Sequence, residues 1–138
     1  MNFDIDAIAA SAEATFDVNV GERDDGSKVG FRVVGTASQK YVAAELASRA
    51  LSFKVRATEN GPIDLKSDKG SMLAATSERT RQRIVVDRCV VDFFGFTKGE
   101  SEPAVFSEEL LKAVLDAKPN WVSLLADAIE NDENFGSG

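Results

Sequence analysis

Residues 14 to 20, ATFDVNV, set Phe16, Val18 and Val20 against Asp17 and Asn19, the period-two pattern of a strand with one buried face. A second apolar run, Val29 to Val34, follows a polar connection containing Asp25-Gly26, a dipeptide that accepts the positive φ of a tight turn. Together they predict an antiparallel hairpin over 14–35, which commits the front of the chain to a sheet. The acids Glu22, Asp24 and Asp25 invite comparison with a calcium loop. The spaced ligands and terminal Glu of an EF-hand are missing, so the turn reading prevails.

The rest of the chain reads as helix. Ser38 is a candidate N-cap for a helix over roughly 39 to 57, with Val42, Leu46, Ala50 and Phe53 on one face and the bases Lys40, Arg49, Lys54 and Arg56 along it. ENGPIDLKSDKGS, with two glycines and a proline, predicts a loop over about 58–71. A long segment then starts near Ser71, where Leu73, Thr76, Thr80 and Ile84 form a helical stripe. From Ile84 the run IVVDRCVVDFFGF is apolar almost wherever it is not Asp or Arg, and it is read as a buried helix end, with strand as the competing assignment. GFTKGESEP is a turn region. Ser107, followed by Glu108 and Glu109, predicts the capped start of a helix that carries Leu110, Leu111, Val114 and Leu115 and stops near Lys118. Pro119 ends one helix and opens the next, which carries Trp121, Leu124, Leu125, Ala128 and Ile129.

The expected fold is therefore α+β and mainly α: an N-terminal antiparallel β-hairpin followed by about four helices, the last two a C-terminal pair. At 138 residues the chain is read as one domain, with an N-terminal segment over 1–13, the hairpin over 14–35, a helical core over 36–96, and the helix pair with its acidic tail over 97–135.

The chain contains no histidine, which excludes Ser-His-Asp and Cys-His triads and imidazole-ligated zinc. A single cysteine, Cys89, excludes an internal disulfide and a cysteine-rich metal site; inside an apolar run it reads as a small buried hydrophobe. Only carboxylate, lysine or tyrosine chemistry remains for an enzyme. The local acid clusters, Asp24 with Asp25 and Asp87 with Asp92, give no reason for the separated pKa values that acid-base work needs. The expectation is a protein that is not an enzyme and uses no cofactor or metal.

A net charge of −7 argues against general nucleic-acid binding. Residues 1–30 carry seven acids and two bases, 31–99 twelve bases and seven acids, and 100–138 nine acids and two bases. These blocks are expected to attract one another on folding. No apolar run has the length of a membrane span, and the first residues carry acids where a secretory leader has bases, so an intracellular protein with no membrane partner is expected.

The C-terminal third carries a recognisable order: Phe94-Gly95-Phe96, then Phe106-Ser107-Glu108-Glu109-Leu110-Leu111, then Pro119 with Trp121, and finally Asn134-Phe135. This order resembles the C-terminal signature of bacteriophage tail assembly chaperones. The hairpin and basic helix of the front half are compatible with it, but the diagnostic residues lie within 93–135. One departure is Phe93-Phe94, where members of this group often carry Trp. The resemblance implies a protein of the host cell cytoplasm that binds and solubilises the tape measure protein during tail morphogenesis, with the tail tube protein as a further expected contact and self-association left open. The alternative is a structural tail or neck protein of the virion.

A holdase for an amphipathic helix needs an apolar surface with a charged rim. The C-terminal helices offer Leu111, Val114, Leu115, Trp121, Leu125 and Ile129, and the tail adds Phe135, as candidate partner-binding residues. The competing reading makes these side chains the protein's own core. Trp121, a residue type enriched at interface hot spots, and Phe135, alone in an acidic tail, are the ones expected at the surface.

Overall fold

The computed structural model describes residues 4–58, 68–99 and 102–135, with the side chains of 55–58 and 68–76 outside that description. The expected hairpin forms from β1 (Thr15–Glu22) and β2 (Lys28–Val34), antiparallel in register Val18 to Phe31 and Thr15 to Val34. Its connection closes as the sequence demands. Gly26 adopts φ +87°, and the Asp25 carboxylate accepts from both the backbone N–H and the hydroxyl of Ser27. The inward side chains Phe16, Val18, Phe31 and Val33 line one face of the sheet. On the other face Arg32 lies between Asp17, at 2.9 Å, and Asp92, at 3.9 Å.

A short helix, α1 (Ile5–Ala12), precedes the hairpin within the segment 1–13, which carried no helical assignment from sequence. After β2 come α2 (Gln39–Thr58) and α3 (Asp68–Cys89). The cap of α2 is Ser38, as expected. It is fully buried, accepts from the Tyr41 N–H at 3.1 Å and donates to the Gly35 carbonyl at 2.6 Å. The central part of the expected loop, residues 59–67, lies outside the described residues, and α3 begins ahead of the anticipated Ser71.

The run 84–96 is not one helix. It divides at Cys89 into the end of α3 and a third strand, β3 (Val90–Phe94), which pairs antiparallel with β2 and makes it the central strand of three. The β-branched pair Val90-Val91 and the aromatics Phe93-Phe94 favour extended backbone, and β2 offers them an open edge. The register slips between Arg32 and Val33, leaving Val91 as the extra residue of a bulge. Val90 and Phe93 are consequently both buried, three residues apart. That spacing imitates a helical period.

A small ribbon, β4 (Thr97–Lys98) with β5 (Glu102–Pro103), leads to α4 (Glu108–Ala117) and α5 (Asn120–Glu130), and the chain ends in a 3-10 turn over Asp132–Phe135. Ser107 caps α4 by accepting from the Leu110 N–H at 3.1 Å, and Pro119 stands helically at the entrance to α5. The molecule is mixed α+β and mainly helical, with five α-helices among the described residues. The core lies between the inner face of the sheet and the helices: Phe31 and Val33 meet Val85, Val86 and Cys89 of α3, Leu111 and Leu115 of α4, and Leu125, Ala126 and Ile129 of α5. Among the described residues no helix is long and apolar enough to cross a membrane.

Candidate functional site

Four of the seven side chains expected to bind a partner are interior. Leu111, Leu115, Leu125 and Ile129 are buried in the shared core, and Leu111 also borders a surface recess. Spaced four residues apart on each helix, they are the stripes that glue α4 and α5 to the rest of the protein. Val114, Trp121 and Phe135 are half-buried and pack against the core. The Trp121 ring lies edge-on to Phe31, with centroids 5.8 Å apart, and also meets Phe96, while Lys118 sits over it at 5.9 Å. Phe135 folds back onto the hairpin, meeting Phe16 at 6.2 Å and covering Gly35, so neither ring stands out from the surface.

The acid clusters are held as structure. Asp87 accepts from Arg83 at 3.0 Å, and Asp92 faces Arg32 and accepts from the Phe93 N–H. The expected attraction between charge blocks is present. Arg81 of α3 binds Glu45 of α2, Glu78 of its own helix and Glu130 of α5, the last at 3.0 Å, while Tyr41 donates to Glu130 at 2.9 Å. These bonds hold the Arg81 guanidinium charged and draw the Glu78 carboxyl below its ordinary range. Arg83 joins α3 to α4 through Asp116 at 2.9 Å.

Among the described residues, the longest stripe of exposed large apolar side chains lies on α2. Val42, Leu46 and Phe53, the stripe that periodicity suggests for the core, are 52%, 61% and 76% exposed, and Ala50 is exposed beside them. The face that meets α3 is built instead from Ala44, Ser48 and the half-buried Tyr41, Glu45 and Ser52. Small residues allow the helices to approach closely, and the Arg81 network needs polar neighbours. Both requirements turn the bulkier residues outward.

Beside this stripe runs a groove made of two adjoining recesses, about 540 and 570 Å³, that share Asp87, Arg88 and Glu108. Lys40, Ala43, Ala47 and Leu51 of α2 form one wall, about three turns long. Ile84, Val90 and Val91 form the floor, and Phe106, Leu111 and Lys112 the opposite wall. From Gln39 to Leu51 the wall extends about 18 Å at 1.5 Å per residue. Ala43 and Ala47 leave room for the backbone of a docked helix. Lys40, Arg88 and Lys112 in the lining have no ion pair among the described residues, Asp87 is engaged by Arg83, and Glu108, which lines both recesses, offsets one of the three bases, leaving a modest excess of positive charge. Sequence reasoning saw the bases of α2 but not the groove, because its opposite wall comes from residues more than fifty positions away.

Comparison with known protein families, with curated proteins and with solved structures finds no match to this chain.

Proposed function

We propose that the protein is a bacteriophage tail assembly chaperone that holds amphipathic helical segments of the tape measure protein in the groove between α2 and α4. The observation that carries this reading is the groove itself: Ile84, Val90 and Val91 beside the Asp87–Arg83 pair at its floor, an alanine-lined wall, the bases Lys40, Arg88 and Lys112 partly offset by Glu108, helical dimensions, and an exposed apolar stripe alongside it. That is the arrangement of helix-in-groove recognition. The motif order over residues 93–135 supplies the identity of the client. Of that motif, Phe106, Glu108 and Leu111 line the groove, and the cap at Ser107 fixes where α4 begins.

Co-expression with a tape measure fragment that is insoluble by itself tests the proposal. The fragment stays soluble with the wild-type chain and precipitates with Ala47→Glu, which puts bulk and negative charge on the groove wall. A fragment that precipitates beside the wild-type protein refutes the reading. Ala47→Glu that solubilises as well as wild type removes the groove from it.

A further inference from the structure

The groove takes up only part of the outer surface of α2. At about 100° of turn per residue, Val42, Leu46, Arg49 and Phe53 fall within a sector of about 60°, spaced four, three and four residues apart over about 16 Å of helix. Ala43 and Ala47 of the groove wall stand about 80° and 120° round from Phe53, so the stripe and the groove are separate faces of one helix. Three bulky side chains in a row, each more than half exposed, form the kind of patch that a lone surface leucine does not.

Charge decides what covers this stripe. The one acid between Gln39 and Lys54 is Glu45, which is half-buried and held by Arg81 at 3.1 Å. Arg49 is exposed in the middle of the stripe and has no ion pair among the described residues. A second copy of the stripe brings another Arg49 and no free carboxylate, so self-pairing sets like charges against each other. An anionic bilayer favours bases at the border of an apolar face, whereas Arg49 lies within it, and a net charge of −7 opposes the approach. A helix that carries apolar residues in the same rhythm, flanked by carboxylates, satisfies both the stripe and its guanidinium.

We infer that the outer face of α2 is a second docking site, distinct from the groove, for an acidic amphipathic helix of a partner protein. Apolar side chains of that helix cover Val42, Leu46 and Phe53, and one of its carboxylates takes the Arg49 fork. The inference uses neither the groove nor the identity of its client. The chaperone reading stands or falls on Ala47→Glu, on the other face of α2, so the two fail separately.

Fluorescence anisotropy with two labelled helices tests this. Each has about 21 residues with leucine at the a and d positions of its heptads, and the flanking e and g positions are all glutamate in one and all lysine in the other, which keeps each from pairing with itself. The glutamate helix binds wild type at least about 10-fold more tightly than the lysine helix, although the net charge of the protein favours the reverse. Leu46→Ser/Phe53→Ser, altered only at exposed positions, weakens that binding at least about 10-fold with an unchanged circular dichroism spectrum. Arg49→Glu reverses the order of the two helices, and Ala47→Gln, which adds bulk to the groove wall without charge, leaves the affinity within about two-fold. No binding of the glutamate helix at micromolar concentration, equal binding of both helices, or binding indifferent to Leu46→Ser/Phe53→Ser overturns the inference. Loss with Ala47→Gln alone overturns it by placing the helix in the groove. A wild-type dimer, or adhesion to phosphatidylserine vesicles, that disappears with Leu46→Ser/Phe53→Ser overturns it by giving the face to a second copy or to a membrane.

Discussion

Single residues here are fixed by close contacts more than by their chemical type. A Cβ on Gly35 would stand 2.6 Å from the Phe135 ring, so Gly35→Ala has to push the tail off the hairpin. The expected cost is about 1–3 kcal/mol, read as a lower urea midpoint with an unchanged slope. Trp121→Ala removes the ring that covers Phe31 and Phe96 and should cost about 2–4 kcal/mol. Its effect on client solubility is then expected to vanish under conditions where the variant is fully folded, because Trp121 serves the fold and lines no part of the groove. Cys89 has no solvent exposure, and burial pushes its thiol up to about 12. Alkylating reagents at neutral pH should leave it unmodified until the protein is unfolded, a result that mass spectrometry reads directly.

At the scale of elements, α2, α3 and α5 meet at Arg81, where one guanidinium serves carboxylates from all three. Arg81→Met leaves Glu45 and Glu130 facing each other without their counter-charge and should destabilise by about 1–3 kcal/mol. Arg81→Lys should recover only part of this, because an ammonium lacks the planar fork. The elements also show what the sequence made legible. The hairpin, both serine caps and the break at Pro119 rest on local signals, such as a turn dipeptide, a hydroxyl three residues before an N–H and a fixed φ. They were readable from neighbouring residues. The third strand was not. The bulge at Val91 places Val90 and Phe93 on the same side, so the run shows the spacing of a helix while its β-branched residues belong to a sheet. The bearing of α2 was hidden for a different reason. Periodicity locates an apolar stripe without saying what it faces, and here alanine and serine pack inward while Leu46 and Phe53 do not. The candidate site followed the same error: leucines at regular spacing on α4 and α5 are equally suited to core and client, and the core took them.

For the whole molecule, the acidic ends fold against the basic middle, and titration of a few partly buried groups sets the pH range of stability. Burial raises Cys89 from an ordinary 9.0, and burial with the bond to Glu130 raises Tyr41 above its ordinary 10.0. In both cases the unfolded chain loses its proton first. The stabilisation they provide is complete below these ordinary values and is lost as pH climbs through the folded ones. The urea midpoint should therefore fall steadily above about pH 9, and Cys89→Ala should flatten the first part of that decline. Glu78 acts oppositely, its contribution being present above 4.5 and lost as pH falls. The strand order has a further consequence, in time. β2 is the central strand, but its second neighbour β3 lies more than fifty residues later, beyond both long helices. At about 5–20 residues per second, a ribosome needs several seconds to deliver β3 after the hairpin emerges. Throughout that interval the inner edge of β2, with Phe31 and Val33 beside it, is an open template on the nascent chain. A chain for which we propose a role in guarding another protein from aggregation thus passes through its own synthesis with a strand edge bare.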